Sequence, residues 1–335
     1  MPAEWERHAA TWVSWPHNPE TWPGSLAQAE SEFRQLVCVL ANHEPVQLLV
    51  QSDAHARHVR AQLPRDPRHP IALHELPSED SWLRDIGPTF VEDDHGEQLA
   101  LDWSFNSWGG RYPPWDRDDA LASQIAARSG CPHRRIRWIV EGGALEVDGE
   151  GTLIATDSSF FAPGRNPVEE REALEADLHG LLGLRKILWL PGALTGDDTD
   201  AHIDNLVRFV APGRVTVSVE PNVQRPHAEA LARCRETLSR ARDACGRHLE
   251  IVDLPLPSRI EAAGEALPAS YANFYIVNGA LLVPAFGVAE DERAREILGK
   301  LFPGRTIRSV GSRTLVRGLG GLHCLTQQQP ACGRG

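Results

Sequence analysis

The chain has 335 residues, of which 41% are hydrophobic and 24% are charged, a composition that is typical of a globular protein and excludes an intrinsically disordered one. Its formal net charge of −12 argues against a nucleic acid as partner, because the phosphate backbone attracts basic proteins. No run approaches the roughly 18 consecutive apolar residues of a membrane-spanning helix, so no membrane association is expected.

Strand-like and helical segments alternate along the chain. Apolar and β-branched runs predict strands at residues 45–50, 89–91, 99–103, 135–140, 151–156, 186–192, 215–220 and 249–254. Apolar residues at helical spacing predict helices at residues 25–41, 53–63, 116–129, 166–183, 227–245 and 289–301. Asn166 followed by Pro167 predicts the start of the fourth helix, with Asn166 as its N-cap, and Gly183 predicts its end.

Turn residues join several of these strands into hairpins. Pro212-Gly213, Asn278-Gly279 and Asp148-Gly149 each separate two strand-like runs. Hairpins combined with single helices do not fit a purely parallel doubly wound sheet, which alternates one strand with one helix. The pattern therefore predicts an α/β fold that repeats a unit of several strands and one helix. No linker-like run divides the chain, so we expect a single domain over residues 1–335.

The densest polar segment is GDDTDAHIDN at residues 196–205. If this backbone is extended, Asp200, His202 and Asp204 project from one face, because side chains alternate along a strand. Three interpretations stay open here. The segment is a solvated acidic loop, or a histidine whose pKa is raised by carboxylates for acid–base catalysis, or a metal site with carboxylate and imidazole ligands.

A second segment, GLGGLHCLTQQQP at residues 318–330, contains Cys324. Its glycines lack the spacing of a dinucleotide-binding loop, and Pro330 ends the segment before a helix can form. We predict a short strand, LHCLT, in which His323 points away from Cys324, so His202 is the better candidate for a base. A cysteine in a strand is most often an inert small hydrophobic residue, but the flanking glycines allow the backbone to approach a ligand.

Two further segments place carboxylates near predicted strand ends. DSWLRDIGPTF contains Asp80 and Asp85, and VEGGALEVDG contains Glu141 before two glycines. A structural ion pair with an arginine would explain either segment alone. Taken together with a histidine and a cysteine, the carboxylates suit a planar guanidinium, whose carbon a thiolate can attack. That chemistry needs neither a metal nor a nucleotide cofactor.

These motifs resemble the agmatine deiminase family of the guanidino-group-modifying (pentein) superfamily, which also holds bacterial peptidylarginine deiminases. The matching segments run in order along the chain: MPAEWERHAATWVSWPHNPETWP, DSWLRDIGPTF, DWSFNSWGG, EGGALEVDGEGT, GRNP, GDDTDAHIDN, ASYANFYIVNGALLVPAFG and HCLTQQQP. The resemblance implies an α/β fold of five ββαβ units in a pseudo-fivefold, five-bladed propeller with a central site. It also implies hydrolysis of agmatine to N-carbamoylputrescine and ammonia, a step of putrescine biosynthesis, without cofactor or metal.

The resemblance also implies roles for individual residues. Cys324 matches the nucleophile that forms a covalent thiouronium intermediate, and His202 matches the general acid and base. Glu141 matches the carboxylate beside that histidine. Asp85 and Asp204 match the pair that grips the guanidinium.

Three more positions match the lining of the family's pocket. Asp198 matches a carboxylate near the distal amine of the substrate, Trp82 matches a side chain against its methylenes, and Asp80 matches another lining residue. Alternatives are a peptidylarginine or other guanidine deiminase, a metal-dependent hydrolase built on Asp200, His202 and Asp204, and a non-catalytic polyamine-binding protein.

The chain departs from the family pattern at three positions. The family usually reads GGGNIHC before the nucleophile, where this chain has Leu319 in place of a glycine and Gly321 in place of the asparagine. Ala201 replaces the glycine that precedes the catalytic histidine. A Cβ at position 201 is expected to shift His202, because glycine tolerates backbone conformations that other residues avoid.

The N-terminal sequence and the cysteine content bear on the cellular location, and the family resemblance bears on the oligomeric state. The N-terminus lacks a basic stretch followed by an apolar one, as a secretory signal would have, and six cysteines are too few for a disulfide scaffold. We therefore expect a cytoplasmic protein with reduced thiols. The family resemblance implies a homodimer.

Overall fold

The computed structural model describes residues 1–93, 95–192 and 194–332. Within these ranges the chain forms eighteen strands: β1 (His8–Ser14), β2 (Val46–Val50), β3 (Ile71–Glu75), β4 (Thr89–Glu92), β5 (Gln98–Ser104), β6 (His133–Ile139), β7 (Glu146–Val147), β8 (Thr152–Thr156), β9 (Lys186–Leu190), β10 (Val207–Ala211), β11 (Arg214–Val219), β12 (Glu250–Pro255), β13 (Glu261–Ala262), β14 (Glu265–Ala266), β15 (Tyr275–Val277), β16 (Ala280–Ala285), β17 (Thr306–Gly311) and β18 (Thr326–Pro330).

The same ranges contain ten α-helices: α1 (Leu26–Leu40), α2 (Asp53–Gln62), α3 (Leu83–Ile86), α4 (Ser107–Gly110), α5 (Asp116–Asp119), α6 (Leu121–Ser129), α7 (Asp157–Phe161), α8 (Arg171–Leu182), α9 (Ala228–Arg240) and α10 (Glu290–Leu301). Short 3-10 turns lie at Gly142–Ala144, Val168–Glu170, Ile203–Asn205, Tyr271–Asn273 and Leu315–Gly318. Across the described part of the chain, no helix is both long enough and apolar enough to span a bilayer.

Five sheets repeat one order of elements. In each repeat a strand pairs antiparallel with the next, and a helical segment then leads to a third strand that pairs parallel with the second. Four repeats are continuous in the chain: β4–β5–β6, β7–β8–β9, β10–β11–β12 and β15–β16–β17. The remaining sheet has the order β18-β1-β2-β3, so the last strand of the chain supplies the first strand of the N-terminal repeat.

The α/β class and the strand-pair-and-helix repeat predicted from the sequence are confirmed. The three predicted hairpins are also present, since β7 pairs antiparallel with β8, β10 with β11 and β15 with β16. The arrangement of the five repeats about a pseudo-fivefold axis, and the single domain, stay predictions. Strand β1, whose side chains are almost all buried, was missed because HAATWVS shows no alternation of polar and apolar residues.

The longer predicted helices bury an apolar face. In α1 the buried residues include Phe33, Leu36, Val37 and Leu40, which recur at helical spacing. The predicted helix 116–129 is divided into α5 and α6.

The helix at residues 166–183 ends as predicted and begins differently. Gly183 ends α8 with φ of 67°, a left-handed conformation that favours glycine. Asn166 is not the N-cap, because its side chain accepts a hydrogen bond from Ile139 N at 3.0 Å and donates to Ile139 O at 2.8 Å. The segment starts instead with the 3-10 turn Val168–Glu170.

A short helical or hydrogen-bonded turn precedes the first strand of each repeat. These turns are α3 before β4, Gly142–Ala144 before β7, Ile203–Asn205 before β10, Tyr271–Asn273 before β15, and the turn at residues 322–325 before β18. The polar motifs of the sequence lie in these turns. The candidate site residues of each repeat therefore lie at an equivalent position, in the turn before its first strand.

Candidate active site

The turn that precedes β18 carries Cys324. The predicted strand LHCLT is wrong: residues 322–325 form a turn, and the strand begins at Thr326. The turn buries Cys324 and is anchored by a hydrogen bond from Arg84 N to Cys324 O at 3.0 Å. The Sγ atom lies 3.7 Å from Asp204 Oδ2 and 3.2 Å from Asn273 Nδ2.

His202 is fully enclosed among carboxylates. Its Nε2 lies 3.4 Å from Glu141 Oε2, and its Nδ1 lies 3.7 Å from Asp85 Oδ2. Burial acts to lower the pKa of the imidazole, but the charges of Asp85 and Glu141 outweigh it and raise the pKa to about 9. The ring is therefore an imidazolium at neutral pH.

Asp85, Asp204 and His202 meet at one point beside Gly143. Gly143 N donates to Asp85 Oδ1 at 2.9 Å, which fixes that carboxylate. Asp85 Oδ2 accepts a second hydrogen bond, from Trp108 Nε1 at 3.0 Å. Burial raises the pKa of Asp85, and the neighbouring Asp204 raises it further against the opposing effect of His202.

Asp204 is completely buried, and only one of its two carboxylate oxygens is hydrogen-bonded within the described residues. Its Oδ2 contacts His323 Nδ1 at 2.7 Å, whereas its Oδ1 has no hydrogen-bond partner among the described residues. Burial acts to raise the pKa of this carboxyl, but the hydrogen bond with His323 outweighs it and holds the pKa below its usual value. A buried carboxylate oxygen without a partner is costly, so it indicates a place for a ligand's N–H group.

Arg165 holds Glu141 from behind. Its Nε lies 3.1 Å from both oxygens of Glu141, and both side chains are fully buried. The same guanidinium contacts Asp200 Oδ2 at 2.5 Å, and Arg111 Nη2 contacts Asp200 Oδ1 at 2.8 Å. Asp200 thus forms ion pairs with two arginines.

The predicted extended backbone at residues 200–204 is wrong. Asp200 and Ala201 have φ of 60° and 72°, and the 3-10 turn Ile203–Asn205 follows, so alternate residues do not share a face. Asp200 therefore points to the arginines, while His202 and Asp204 enter the site. No three metal-ligating side chains converge in the described ranges, so the predicted Asp200, His202 and Asp204 ligand set does not form.

A cavity of about 640 Å³ opens onto Cys324. Its wall includes Asp80, Trp82, Asp85 and Asp198, and their roles in binding a substrate stay predictions. His202, Glu141 and Asp204 are buried and are not among the residues that line this cavity.

Two further carboxylates of the cavity wall are already hydrogen-bonded. Asp80 Oδ2 accepts from Thr21 Oγ1 at 2.6 Å, and Asp198 Oδ2 accepts from Tyr112 Oη at 2.6 Å. Burial raises the pKa of both aspartates. The cavity wall therefore carries acidic side chains at positions 80 and 198 in addition to Asp85.

The Cys324 thiol is neutral in this arrangement. Burial raises its pKa well above the usual value, and the charges of Asp204 and Asp85 raise it further. A cation bound between these carboxylates would have the opposite effect on the thiol.

Two departures from the family pattern fall at left-handed backbone positions. Leu319, in the cavity wall, and Ala201, before His202, both have φ of 72°. The third departure removes a side chain from a crowded place, because a Cβ on Gly321 would lie 2.4 Å from Asn273 Oδ1.

Several residues of the site were missed by sequence reasoning. They are Trp108, Tyr112, Arg165, Asn273, His323 and Glu4, the last of which contacts His323 Nε2 through its Oε2 at 2.7 Å. A signal existed for five of them, since matched motifs contain Glu4, Trp108, Arg165, Asn273 and His323, whereas Tyr112 lies outside the matched motifs.

Comparison with known proteins identifies the family. Residues 1–330 match the model of the Porphyromonas-type peptidyl-arginine deiminases. The chain belongs to that family.

Its curated relatives include an agmatine deiminase of Stutzerimonas stutzeri, 40% identical over 99% of this chain and 95% of the relative. An agmatine deiminase of Ectopseudomonas mendocina is 38% identical over the same shares.

Solved structures of this family superpose along the whole chain. An agmatine deiminase of Enterococcus faecalis has a TM-score of 0.92 at 33% identity and covers 98% of this chain and 95% of its own. A C. jejuni agmatine deiminase with substrate bound has a TM-score of 0.90 at 27% identity and covers 100% and 96%. The family membership predicted from the motifs is confirmed, and so is the pentein fold.

Proposed function

We propose that this protein hydrolyses agmatine to N-carbamoylputrescine and ammonia, a step of putrescine biosynthesis. The full-length similarity to agmatine deiminases supports this, as does a buried cysteine among carboxylates. One observation carries the proposal: Cys324 Sγ lies 3.7 Å from Asp204 Oδ2, in the wall of a cavity that Asp85 also lines. A guanidinium paired with both carboxylates presents its electrophilic carbon to the sulfur.

Substrate binding prepares the nucleophile. The guanidinium donates N–H groups to Asp85 and to the unpartnered Oδ1 of Asp204, and it neutralises the charges that keep the Cys324 thiol protonated. The thiol then loses its proton to water in the open cavity. The resulting thiolate forms a bond to the guanidinium carbon and gives a tetrahedral adduct.

The first half of the reaction releases ammonia. The imidazolium of His202 donates a proton to one nitrogen of the adduct, and the carbon–nitrogen bond breaks as ammonia leaves. A thiouronium remains on Cys324, and His202 is now neutral. Glu141, held by Arg165, keeps the ring oriented.

The second half releases the product. Neutral His202 takes a proton from water, and the hydroxide bonds to the thiouronium carbon. The carbon–sulfur bond then breaks as Cys324 departs as a thiolate, the hydroxyl proton of the adduct passes through water to that thiolate and restores the thiol, and neutral N-carbamoylputrescine leaves. The proton that His202 takes from water restores the imidazolium, which the first half of the next turnover requires.

Mass spectrometry of acid-quenched enzyme tests the proposal. Wild-type protein mixed with agmatine is expected to carry an adduct of agmatine less ammonia on the peptide that contains Cys324. Cys324→Ser should give no adduct and no ammonia, while Cys245→Ser, which removes an exposed thiol, should behave as wild type. Turnover without an adduct on Cys324, or turnover by Cys324→Ser, would overturn the mechanism.

The substrate class is tested by direct competition. Agmatine, free arginine and an arginyl peptide are supplied at equal concentration, and agmatine is expected to have the highest kcat/KM because carboxylates line the cavity. A preference for the peptide would make the protein a peptidylarginine deiminase. The cytoplasmic location and the homodimer are further proposals, checked by fractionation and by analytical ultracentrifugation.

A further inference from the structure

Asn273 is the nearest polar side chain to the Cys324 sulfur. Its Nδ2 lies 3.2 Å from Sγ, closer than the 3.7 Å to Asp204 Oδ2. Asn273 is 2% exposed and ends the 3-10 turn Tyr271–Asn273, which precedes the first strand of its repeat. It therefore reaches the site from the same topological position as the other site residues.

The orientation of the amide is set by its partners. His323 N lies 2.9 Å from Asn273 Oδ1, and because a backbone N–H can only donate, the oxygen must be on that side. With this orientation the amide nitrogen lies 3.2 Å from Cys324 Sγ, closer than the amide oxygen at 3.6 Å. Its second hydrogen is directed to Asn205 Oδ1 at 3.0 Å. All of the amide's principal contacts are satisfied, so it is held in one orientation.

Gly321 makes room for this amide. A Cβ at position 321 would lie 2.4 Å from Asn273 Oδ1 and 2.9 Å from its Cγ, a separation that real structures do not show. The glycine that departs from the family pattern is thus the neighbour against which Asn273 packs. The amide of Asn273 therefore fills space that the family's asparagine at position 321 would need.

The charged groups around the sulfur explain why a neutral donor matters. The charges of Asp204 and Asp85 disfavour a thiolate at Cys324. The two histidines nearby do not offset them at the sulfur, because His323 contacts Asp204 and the imidazolium of His202 contacts Glu141 and Asp85. Donors therefore have to offset two carboxylates, and Asn273 Nδ2 is one that points at the sulfur itself.

We propose that Asn273 donates a hydrogen bond to the Cys324 thiolate, and so stabilises the sulfur both as nucleophile and as leaving group. The inference rests on the proposed function in that Cys324 is the nucleophile. A hydrogen bond from a neutral N–H to an anion favours the ionised form of the group that accepts it. Without this donor, the thiolate forms less readily and departs less readily.

The decisive measurement is the pH dependence of Cys324 alkylation by iodoacetamide without substrate, followed on the Cys324 peptide. In Asn273→Ala and Asn273→Ser, whose side chains are too short to reach Sγ, the midpoint is expected to rise by at least about one pH unit. The kcat for agmatine should fall at least about tenfold, with KM within a few-fold of wild type, because the carboxylates that bind the guanidinium remain. Asn42→Ala, which removes an exposed asparagine bonded to Cys38 O, should change neither value.

Each outcome bears on the inference. Circular dichroism identifies the variants that fold, and two substitutions are made so that one folded protein suffices. An unchanged alkylation midpoint in a folded variant, or a loss confined to KM, would overturn the role of Asn273. If the midpoint shifts but wild-type protein does not release ammonia from agmatine, the proposed function fails while the contact to the thiolate stands.

Discussion

Gly143 and His202 approach each other so closely that Gly143 has no room for a side chain. A Cβ on Gly143 would lie 2.5 Å from His202 Nδ1, 3.0 Å from Asp85 Oδ1 and 3.2 Å from Asp204 Oδ2. The glycine thus allows an imidazole and two carboxylates from two other repeats of the fold to gather around one point. This requirement is one of space, since Gly143 does not adopt a left-handed backbone conformation.

Gly143→Ala is expected to abolish most of the activity by displacing His202. A misplacement of a catalytic group by about 1 Å costs roughly 100-fold in rate, so kcat/KM should fall at least that much. The control is Gly180→Ala on the exposed side of α8, where a Cβ meets nothing within 4 Å. That variant should keep full activity and gain about 1 kcal/mol in helix stability. Wild-type activity in Gly143→Ala would show that His202 needs no such precise position.

At position 319 glycine is expected to give a more stable protein than alanine, the reverse of the usual order in a helix. The φ of 72° at Leu319 is costly for any residue with a Cβ, by about 1–2 kcal/mol. Leu319→Gly should therefore be more stable than Leu319→Ala, by up to about 1 kcal/mol after the extra chain entropy of glycine is counted. At Ala176, exposed in α8, a change to glycine should instead destabilise by about 1 kcal/mol.

Urea denaturation of the three variants and wild type measures these differences. If Leu319→Ala is as stable as Leu319→Gly or more so, the left-handed conformation at this position carries no cost.

The parts of the site that the sequence predicted are those that stand out locally. His202, Asp204 and Asp85 lie directly before largely apolar strands, and Cys324 lies between glycines and a run of glutamines, so these residues attract attention in a single sequence. Their convergence could not be derived from spacing. It depends on the turns that precede the first strands of different repeats being brought to one place, which no short-range pattern encodes.

The parts that were missed depend on distant partners. Glu4 meets His323 across 319 positions of the chain, a contact made where β18 completes the N-terminal sheet. The predicted extended geometry at residues 200–204 failed because Asp200 and Ala201 adopt left-handed conformations, which are uncommon for residues other than glycine. The arginines at positions 165 and 111 hold Asp200 in that conformation, and their proximity was not visible in sequence.

Asp198 is expected to set the preference for a substrate with a distal amine. Its carboxylate lines the cavity and accepts from Tyr112 Oη at 2.6 Å, which fixes its position. An ammonium group is attracted to it, whereas the carboxylate of free arginine is repelled. Asp198→Asn should therefore lower kcat/KM for agmatine by roughly 10- to 100-fold and lower the ratio of agmatine to arginine turnover.

Steady-state kinetics with both substrates checks this preference. Asp53→Asn, which alters an exposed ion pair on α2, is the matched control and should leave both values unchanged. An agmatine-to-arginine ratio that stays at the wild-type value in Asp198→Asn would assign the preference to another group.

The stability of the protein is expected to fall as pH rises through the titration of His202. The carboxylates raise the pKa of His202 from 6.5 to about 9 in the folded state. Because the folded protein holds the proton more tightly than the unfolded chain, the stabilisation is fully present below pH 6.5 and is lost as pH approaches 9. A shift of this size corresponds to on the order of 3 kcal/mol.

His202→Gln supplies the reference for this pH dependence because glutamine does not titrate. Urea denaturation at several pH values between about 6 and 10 should show that the free energy of unfolding declines more steeply with pH in wild type than in His202→Gln. The excess decline should lie in the window between the two pKa values. Parallel curves would mean that His202 binds its proton equally well in the folded and unfolded states, and the imidazolium assigned to the resting site would then be wrong.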